Sequence, residues 1–357
     1  MMLFSVSTFI IFSDNSREAP MRGISEWHNV DAACFSQNIV PLQQPAVLRQ
    51  AVRDWPAVQA GLNSKQALRD YIAAMDNNAE VNTVLAHPDT GGRLSYNADL
   101  SGLNFERHKA PLTAVIDELR RIDGKSDALH IAVQSARADL CLPHFSRYNP
   151  MPLLATEVVP RIWLGNKIVV PAHFDHADNL ACVVAGQRRF TLFAPEQVVN
   201  LYPGPLDFTP AGAPVSMVDH TKPDYSRYPK YARALQQAVY AELEPGDVLY
   251  IPALWWHQVE SLSGVNMLVN YWWGGSIADD ASPVSPFDSL LHCLLTMQQV
   301  PAEQRRHWQA LFGHLVFHAD GDPVAHLPPQ PDGRQRFLSD KHKPQLLQWL
   351  AKQLQLM

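Results

Sequence analysis

Three residues in this sequence have the types and the spacing of a metal site. In the stretch VVPAHFDHADNLACVVAGQRRFTLF, Val169 to Phe193, His173 and Asp175 stand two apart in a segment of strand character. At that spacing both side chains project from one face. A second apolar segment, GDVLYIPALWWH from Gly246 to His257, delivers another histidine far enough along the chain for several strands to intervene. Two imidazoles and one carboxylate on a rigid β scaffold form the facial triad that suits non-haem Fe(II), with positions left open for a cosubstrate and O2. The competing reading makes the His-x-Asp a turn and His257 a satisfied core histidine. With 15 histidines in the chain an isolated match is weak, and the surrounding residues decide its weight.

Arg188 is the first of these. In Arg188 to Phe193, Arg188, Phe190 and Leu192 share one strand face, while Arg189, Thr191 and Phe193 share the other. If the Phe190 face is internal, a guanidinium enters an apolar interior, which is costly without an anion. A dicarboxylate such as 2-oxoglutarate would supply one, its keto-acid end on iron and its far carboxylate on the cation. The alternatives are that Arg189 is the inner residue, or that Arg188 pairs with Asp178 or Glu196.

The elements that must position these residues are mostly strands. From Ile131 to Trp273 the runs IAVQS, RIWLGNKIVV, LACVVA, RRFTLF, DVLYIPA and NMLVNYWW are separated by turn residues. No long helix crosses between them, so an antiparallel barrel or sandwich is expected. Residues Tyr202 to Tyr240, rich in Pro, Tyr and Asp, read as a long loop followed by a short helix. Upstream, the pattern predicts a helix around Ala46–Arg53 broken by Pro56, and a helix capped by Ser64 and running through Met75. It also predicts a hairpin of Val81–Leu85 and Arg93–Tyr96 about HPDTGG. After Pro111, Leu112, Val115, Ile116 and Leu119 make a helical stripe that DGKS ends. Beyond Gly275 the period changes again, with helices expected over Pro286–Val300, Ala302–Phe317 and Lys343–Leu354. Leu290, Leu291, Leu294 and Leu295 form a stripe that either caps the barrel or joins two copies of the chain.

With 357 residues the chain can bury a large core. A net charge of −6 and a pI near 6.2 advertise no nucleic-acid surface. Cys34, Cys141, Cys182 and Cys293 are far apart and form no CxxC pair, which argues against structural zinc or a disulfide framework and fits a reducing cytoplasm. The opening MMLFSVSTFIIF is apolar but lacks a basic n-region and a cleavage motif. It is also shorter than a membrane span. Residues 1–20 read as an over-extended start or an added edge strand, and no membrane association is expected.

The motifs IWLGN, PAHFDHADN, LFAPEQ, LYPGP, PDYSRYP, GDVLYIPALWWHQVES and VNYWW, all in order over about residues 39–280, resemble the JmjC-type cupin hydroxylases that use Fe(II) and 2-oxoglutarate. Within that family the pattern is most like an asparaginyl hydroxylase and its bacterial cupin-like relatives. The resemblance implies a mainly β protein, a double-stranded β-helix (cupin or jelly-roll) core with an N-terminal α/β elaboration and C-terminal helices. Residues 21–280 are expected to form the catalytic region, and the leucine stripe at 290–295 with the apolar final helix makes 281–357 a helical region expected to join two copies as a homodimer. By motif, His173, Asp175 and His257 would hold the iron, and Asn179 and Asn270 would lie near the cosubstrate. Where the family usually has a carboxylate-binding lysine this chain has Arg188, which keeps the charge and adds a bidentate fork. Val170 stands where many members have threonine. The family's cosubstrate tyrosine is replaced near IAVQS by His130 or Ala132, with Gln134 close by.

The leading expectation is therefore an Fe(II)- and 2-oxoglutarate-dependent oxygenase hydroxylating a C–H bond of a protein side chain, a free amino acid or a small metabolite. Trp163, Trp272 and His176 are the residues expected near the substrate, and Trp255, Trp256 and Trp273 could help wall the site. Lysine demethylation is disfavoured, since no histone-reading module or basic surface accompanies the triad. The main alternative is a cupin-like binding protein with a vestigial site, because such folds also host non-enzymes. A cupin isomerase ranks lower, as those sites usually carry more histidines.

Overall fold

Short apolar runs punctuated by Gly, Pro and Asp have strand length rather than helix length. In the computed structural model they pair as strands. The described residues are 22–210, 212–274, 285–329, 335–338 and 341–355, and the expected over-extended start at 1–20 lies outside them. The chain divides into two compact units, one through Ala281 and one from Ser282.

The strands of the first unit are β1 (Arg22–Gly23), β2 (Ser25–His28), β3 (Ala46–Arg49), β4 (Val81–Ala86), β5 (Phe105–Ala110), β6 (His130–Arg137) and β7 (Arg161–Gly165). They continue as β8 (Val169–His173), β9 (Asp178–Ala185), β10 (Arg188–Phe193), β11 (Val239–Leu243), β12 (Val248–Ile251), β13 (Trp256–Ser261) and β14 (Asn266–Trp273). One sheet runs β1-β11-β10-β13-β8 and the other β2-β3-β12-β9-β14-β7-β6-β4-β5. Pairing is antiparallel except for β1 with β11 and β2 with β3.

Period-two alternation then sorts the side chains. Val47, Ala181, Val183, Leu249, Ile251 and Leu268 from the larger sheet meet Phe190, Leu192, Ala241 and Leu243 from the smaller one, filling the space between the sheets. The opposite faces of the same strands in the larger sheet, including Leu48, Leu180, Cys182, Val248 and Val269, pack with helices α1 (Pro56–Asn63), α2 (Lys65–Ala73) and α3 (Leu112–Ile122). Covered on both faces, β9 reads as a continuous apolar run. Helix α1 lies so close to β9 that a Cβ on Gly61 would fall 2.5 Å from the Val184 carbonyl oxygen. The loop after Leu201 and helix α4 (Tyr231–Gln237) cover Phe193 and Trp256 on the outer side of the smaller sheet.

Ser64 caps α2 as expected, its hydroxyl accepting from the Ala67 amide at 3.0 Å, and the stripe of α3 is buried. Two upstream expectations are corrected. Ala46–Arg49 is strand β3, not helix, and Pro56 opens α1 rather than breaking a helix. Ala46, Val47 and Leu48 are all buried, so the run has no polar face from which a period could be read. The hairpin over 81–96 is also not formed. β4 pairs with β5 and β6, while Arg93 and Tyr96 make isolated bridges to Val169 and Leu103. Edge strand β5 (FERHKA) buries only Phe105 and carries almost no apolar signal. The Tyr202–Tyr240 stretch does hold a loop and then a helix, but its last residues already belong to β11.

The second unit contains α5 (Pro286–Met297), α6 (Ala302–Leu315) and α7 (Lys343–Leu354). Ser285 and Asp288 close a reciprocal capping box at the start of α5. None of the three helices has a buried side chain, and Leu290, Leu294, Leu295, Trp308, Leu311 and Trp349 are exposed. Among the described residues no helix is long and apolar enough to cross a membrane.

Candidate metal centre

His173 ends β8 and His257 lies directly opposite it on β13, in register, with ring centroids 4.3 Å apart. Each imidazole is held the same way. Nδ1 of His173 donates to the Pro171 carbonyl at 2.9 Å, and Nδ1 of His257 donates to the Trp255 carbonyl at 3.0 Å. A carbonyl can only accept, so both rings carry the proton on Nδ1 and present a lone pair at Nε2. Burial, and then the adjacent His257 ring, push the His173 pKa well below the ordinary imidazole value, so it is neutral as a ligand must be.

Asp175 is not on a strand. It sits in the loop just past β8, where its backbone carbonyl accepts from the Leu254 amide at 2.9 Å. Its Oδ2 accepts from Trp272 Nε1 at 3.1 Å and from Asn179 Nδ2 at 3.5 Å, and stands 3.6 Å from His257 Nε2. The potential ligand atoms of His173, Asp175 and His257 all lie within 4.8 Å of one another. Two imidazoles and a carboxylate at one point, each oriented by an outer partner, fit a divalent first-row metal.

Arg188 occupies the inner face, buried at 7% exposure with Phe190 and Leu192. Arg189 faces outward and pairs with Glu242 at 2.7 Å and Glu260 at 3.6 Å. Neither carboxylate considered for Arg188 is paired with it. Asp178 accepts from Tyr250 Oη and the Ala253 amide, and Glu196 is exposed. Among the described residues Arg188 has no ion pair, and its Nε has no acceptor. Burial lowers its pKa to about 10, which still leaves it cationic at neutral pH. Leu192 pairs with His257, and Arg188 stands four residues further along β10 on the same face. That places its Cα roughly 14 Å along the strand from the metal end. An orphaned cation at that depth, reaching back with a long side chain, fits the far carboxylate of a short extended dicarboxylate chelated at the triad.

Asn179 and Asn270 are both buried on this inner face. Asn270 accepts from Trp163 Nε1 at 2.8 Å, and Trp163 meets Trp272 edge-on at 6.3 Å. Gln134 lies in an irregularity of β6 across from Trp163 and makes no hydrogen bond to the triad among the described residues. His130 is drawn away, its Nδ1 against the Lys167 carbonyl, and Val170 packs in an apolar cluster with Ile168 and Leu94. Asp175, His176 and Trp272 line a cleft of about 400 Å³, together with Arg137 and Arg161. The two arginines were missed in the sequence. The signal for Arg161 was there, since it shares a strand face with Trp163 in RIWLG as Arg188 does with Phe190.

Two facing sheets with a two-histidine, one-carboxylate cluster at one end of the space between them define a cupin-type double-stranded β-helix. Residues 32–279 match the family described as cupin-like domain, and the chain belongs to it, among the JmjC-type cupin proteins. It is 30% identical over 264 residues to the human bifunctional peptidase and (3S)-lysyl hydroxylase JMJD7 (Homo sapiens), covering 67% of this chain and 80% of that protein. It is 26% identical over 240 residues to Jumonji C domain-containing protein 5 of Drosophila melanogaster, covering 64% of this chain and 54% of the relative. The HSPB1-associated protein 1 homolog of Danio rerio is 32% identical over 134 residues, 37% of this chain and 29% of that protein. The chain thus spans most of the first relative and about half or less of the other two.

Proposed function

We propose that this chain is an Fe(II)- and 2-oxoglutarate-dependent oxygenase that hydroxylates a C–H bond of a protein side chain, an amino acid or a small metabolite. The observation that carries the reading is Arg188, a buried cation without a counter-charge among the described residues, on the inner face that also bears the triad histidines. Iron with 2-oxoglutarate and O2 supplies C–H hydroxylation, with release of succinate and carbon dioxide. The protein's part is positioning. His173, His257 and Asp175 would hold the metal. Arg188 would anchor the far carboxylate, with Asn179 and Asn270 as polar neighbours and Gln134 at the margin. Trp163 and Trp272 would shield the site from water, and His176 at the cleft would face substrate. A lysyl hydroxylase among the relatives supports a protein substrate.

The test is titration of the anaerobic Fe(II) protein with 2-oxoglutarate, followed by succinate formation in air. Saturable binding with succinate release is expected, and a parent protein that neither retains iron nor binds the dicarboxylate overturns the reading. One observation favours a second reading, a binding protein without turnover. Val170 offers no hydroxyl where many relatives place threonine, and its surroundings are apolar.

We also propose that residues 21–280 form the catalytic region and that 281–357 join two copies as a homodimer, through the exposed leucines of α5. Four free cysteines support a cytoplasmic location.

A further inference from the structure

Arg161 sits beside the triad and has no role in the scheme above. Its guanidinium carbon lies 5.4 Å over the Trp272 ring, and the Trp272 indole N–H in turn donates to Asp175. Only one side chain therefore separates Arg161 from a metal ligand. Among the described residues its hydrogen bonds come from Nη1, to the Ser135 hydroxyl at 3.2 Å and the Ser135 carbonyl at 3.4 Å. Among the described residues it has no ion pair. Ser135 is held at φ 52°, in the irregular part of β6 opposite β7, and such a bulge re-aims a side chain.

A second cation stands directly across the strands, since Arg137 pairs in register with Arg161. Like charges opposite one another are unfavourable, so something must compensate them. Arg137 is compensated, with two hydrogen bonds to Asp139 at 3.0 and 2.6 Å. Arg161 is not. Burial, and then the charge of Arg137, lower its pKa, and the more distant charge of Asp139 offsets them only in part. The carboxylate among the cleft's lining residues is Asp175, already committed to the triad.

We infer that the substrate carries a carboxylate close to the carbon to be oxidised, and that Arg161 receives it while Trp272 forms the adjoining wall. This deepens the oxygenase reading and rests on it. The guanidinium fork matches a carboxylate bidentately, and stacking on an indole holds the fork in place before the ligand arrives. A single uncompensated cation suits a monoanion better than a phosphate, because the second arginine is already neutralised by Asp139. The class is therefore an acidic amino acid, free or within a peptide. A lysine side chain, the target in the name of the human relative, would bring a cation against Arg161.

The experiment uses the full-length protein loaded with Mn(II) in place of Fe(II) and saturated with 2-oxoglutarate, so that binding is read without turnover. Calorimetric titrations compare free L-aspartate and L-glutamate with capped tripeptides carrying Asp, Glu, Asn or Lys at the centre. Acidic ligands should bind roughly tenfold to a hundredfold tighter than the Asn and Lys peptides, as expected for a charge-assisted pair. Binding of the free amino acids alone makes the substrate a small molecule, and binding of the peptides makes it a protein. Arg161→Gln should erase the preference, while Arg161→Lys should retain part of it and guards against simple misfolding. Metal content and 2-oxoglutarate affinity should be the same in all three proteins. A Lys peptide binding as well as an Asp peptide, no acidic ligand bound by the parent at about 10 mM, or a preference untouched by Arg161→Gln overturns the inference. So does a loss confined to 2-oxoglutarate, which would move Arg161 into the cosubstrate pocket. The same titration on the metal-free parent separates the two readings. Acidic ligands bound through Arg161 by a protein that holds neither metal nor 2-oxoglutarate would sink the oxygenase and spare this site.

Discussion

The two units of this chain are unfinished in opposite ways. In the first, apolar side chains are buried and the unmet needs are polar: among the described residues Arg188 has no counter-charge, and Asn179 Oδ1 has no donor. In the second, helices α5, α6 and α7 bury no side chain, and the unmet need is apolar. A buried cation is costly until an anion meets it. An exposed run of leucine and tryptophan is costly until another apolar surface covers it. On the proposals above the contrast separates two kinds of partner: the barrel would take small charged ligands, and the helices a second copy of the chain.

The contrast is broken most severely at Asp175, the sole anionic ligand proposed for the metal. Asp175→Ala should reduce Fe(II) affinity by more than the roughly hundredfold that marks the loss of an outer-shell partner. Metal analysis after dialysis reads the result, and iron retained at the parent level would disprove the ligand assignment. The second unit is tested by the paired change Leu294→Asp and Leu295→Asp. The two side chains are 45% and 55% exposed. Covering them at a two-fold interface would contribute roughly 3–6 kcal/mol over four leucines. Light scattering should show a dimer for the parent and a monomer for the variant, both with the same metal content. A monomeric, well-folded parent sinks the proposal.

Arg188→Ala should cost about 2–5 kcal/mol in 2-oxoglutarate binding and leave iron binding nearly unchanged. Arg188→Lys should be milder, since it keeps the charge and loses the fork. Equal dicarboxylate affinity in the parent and Arg188→Ala would relocate the anchor, with Arg189 or Lys167 next to be tried. The smallest effect is expected at Trp272. Trp272→Phe keeps an aromatic wall and deletes the N–H that orients Asp175, so metal affinity should fall about tenfold. No change in a metal titration would show that Asn179 and the loop backbone hold the carboxylate unaided.

Much of this was legible beforehand for physical reasons. The leucine and valine stripe of α3 has a helical period because one face is buried and the other is wet. Ser64 announces α2 because its side chain satisfies an amide that the helix cannot. β3 and β5 were not legible, for opposite reasons: the first is apolar on both faces, and the second is almost wholly exposed. Neither gives a pattern of one period against another. The sequence also placed Asp175 on a strand with His173, whereas the loop after β8 turns the carboxylate toward the imidazoles.

By itself, then, the sequence determined residue types and faces: two histidines and an acid suited to a metal, and Arg188 on the side of Phe190. Alternation is a local property of the backbone and can be read from any strand. Which face turns inward is not local. Only the packing of the two sheets decided that Arg188 is buried while Arg189 reaches Glu242 and Glu260. Register is equally non-local. It set His257 against His173, and it brought Arg161 opposite Arg137 and over Trp272, three elements of the chain whose meeting depends on pairings across the whole larger sheet.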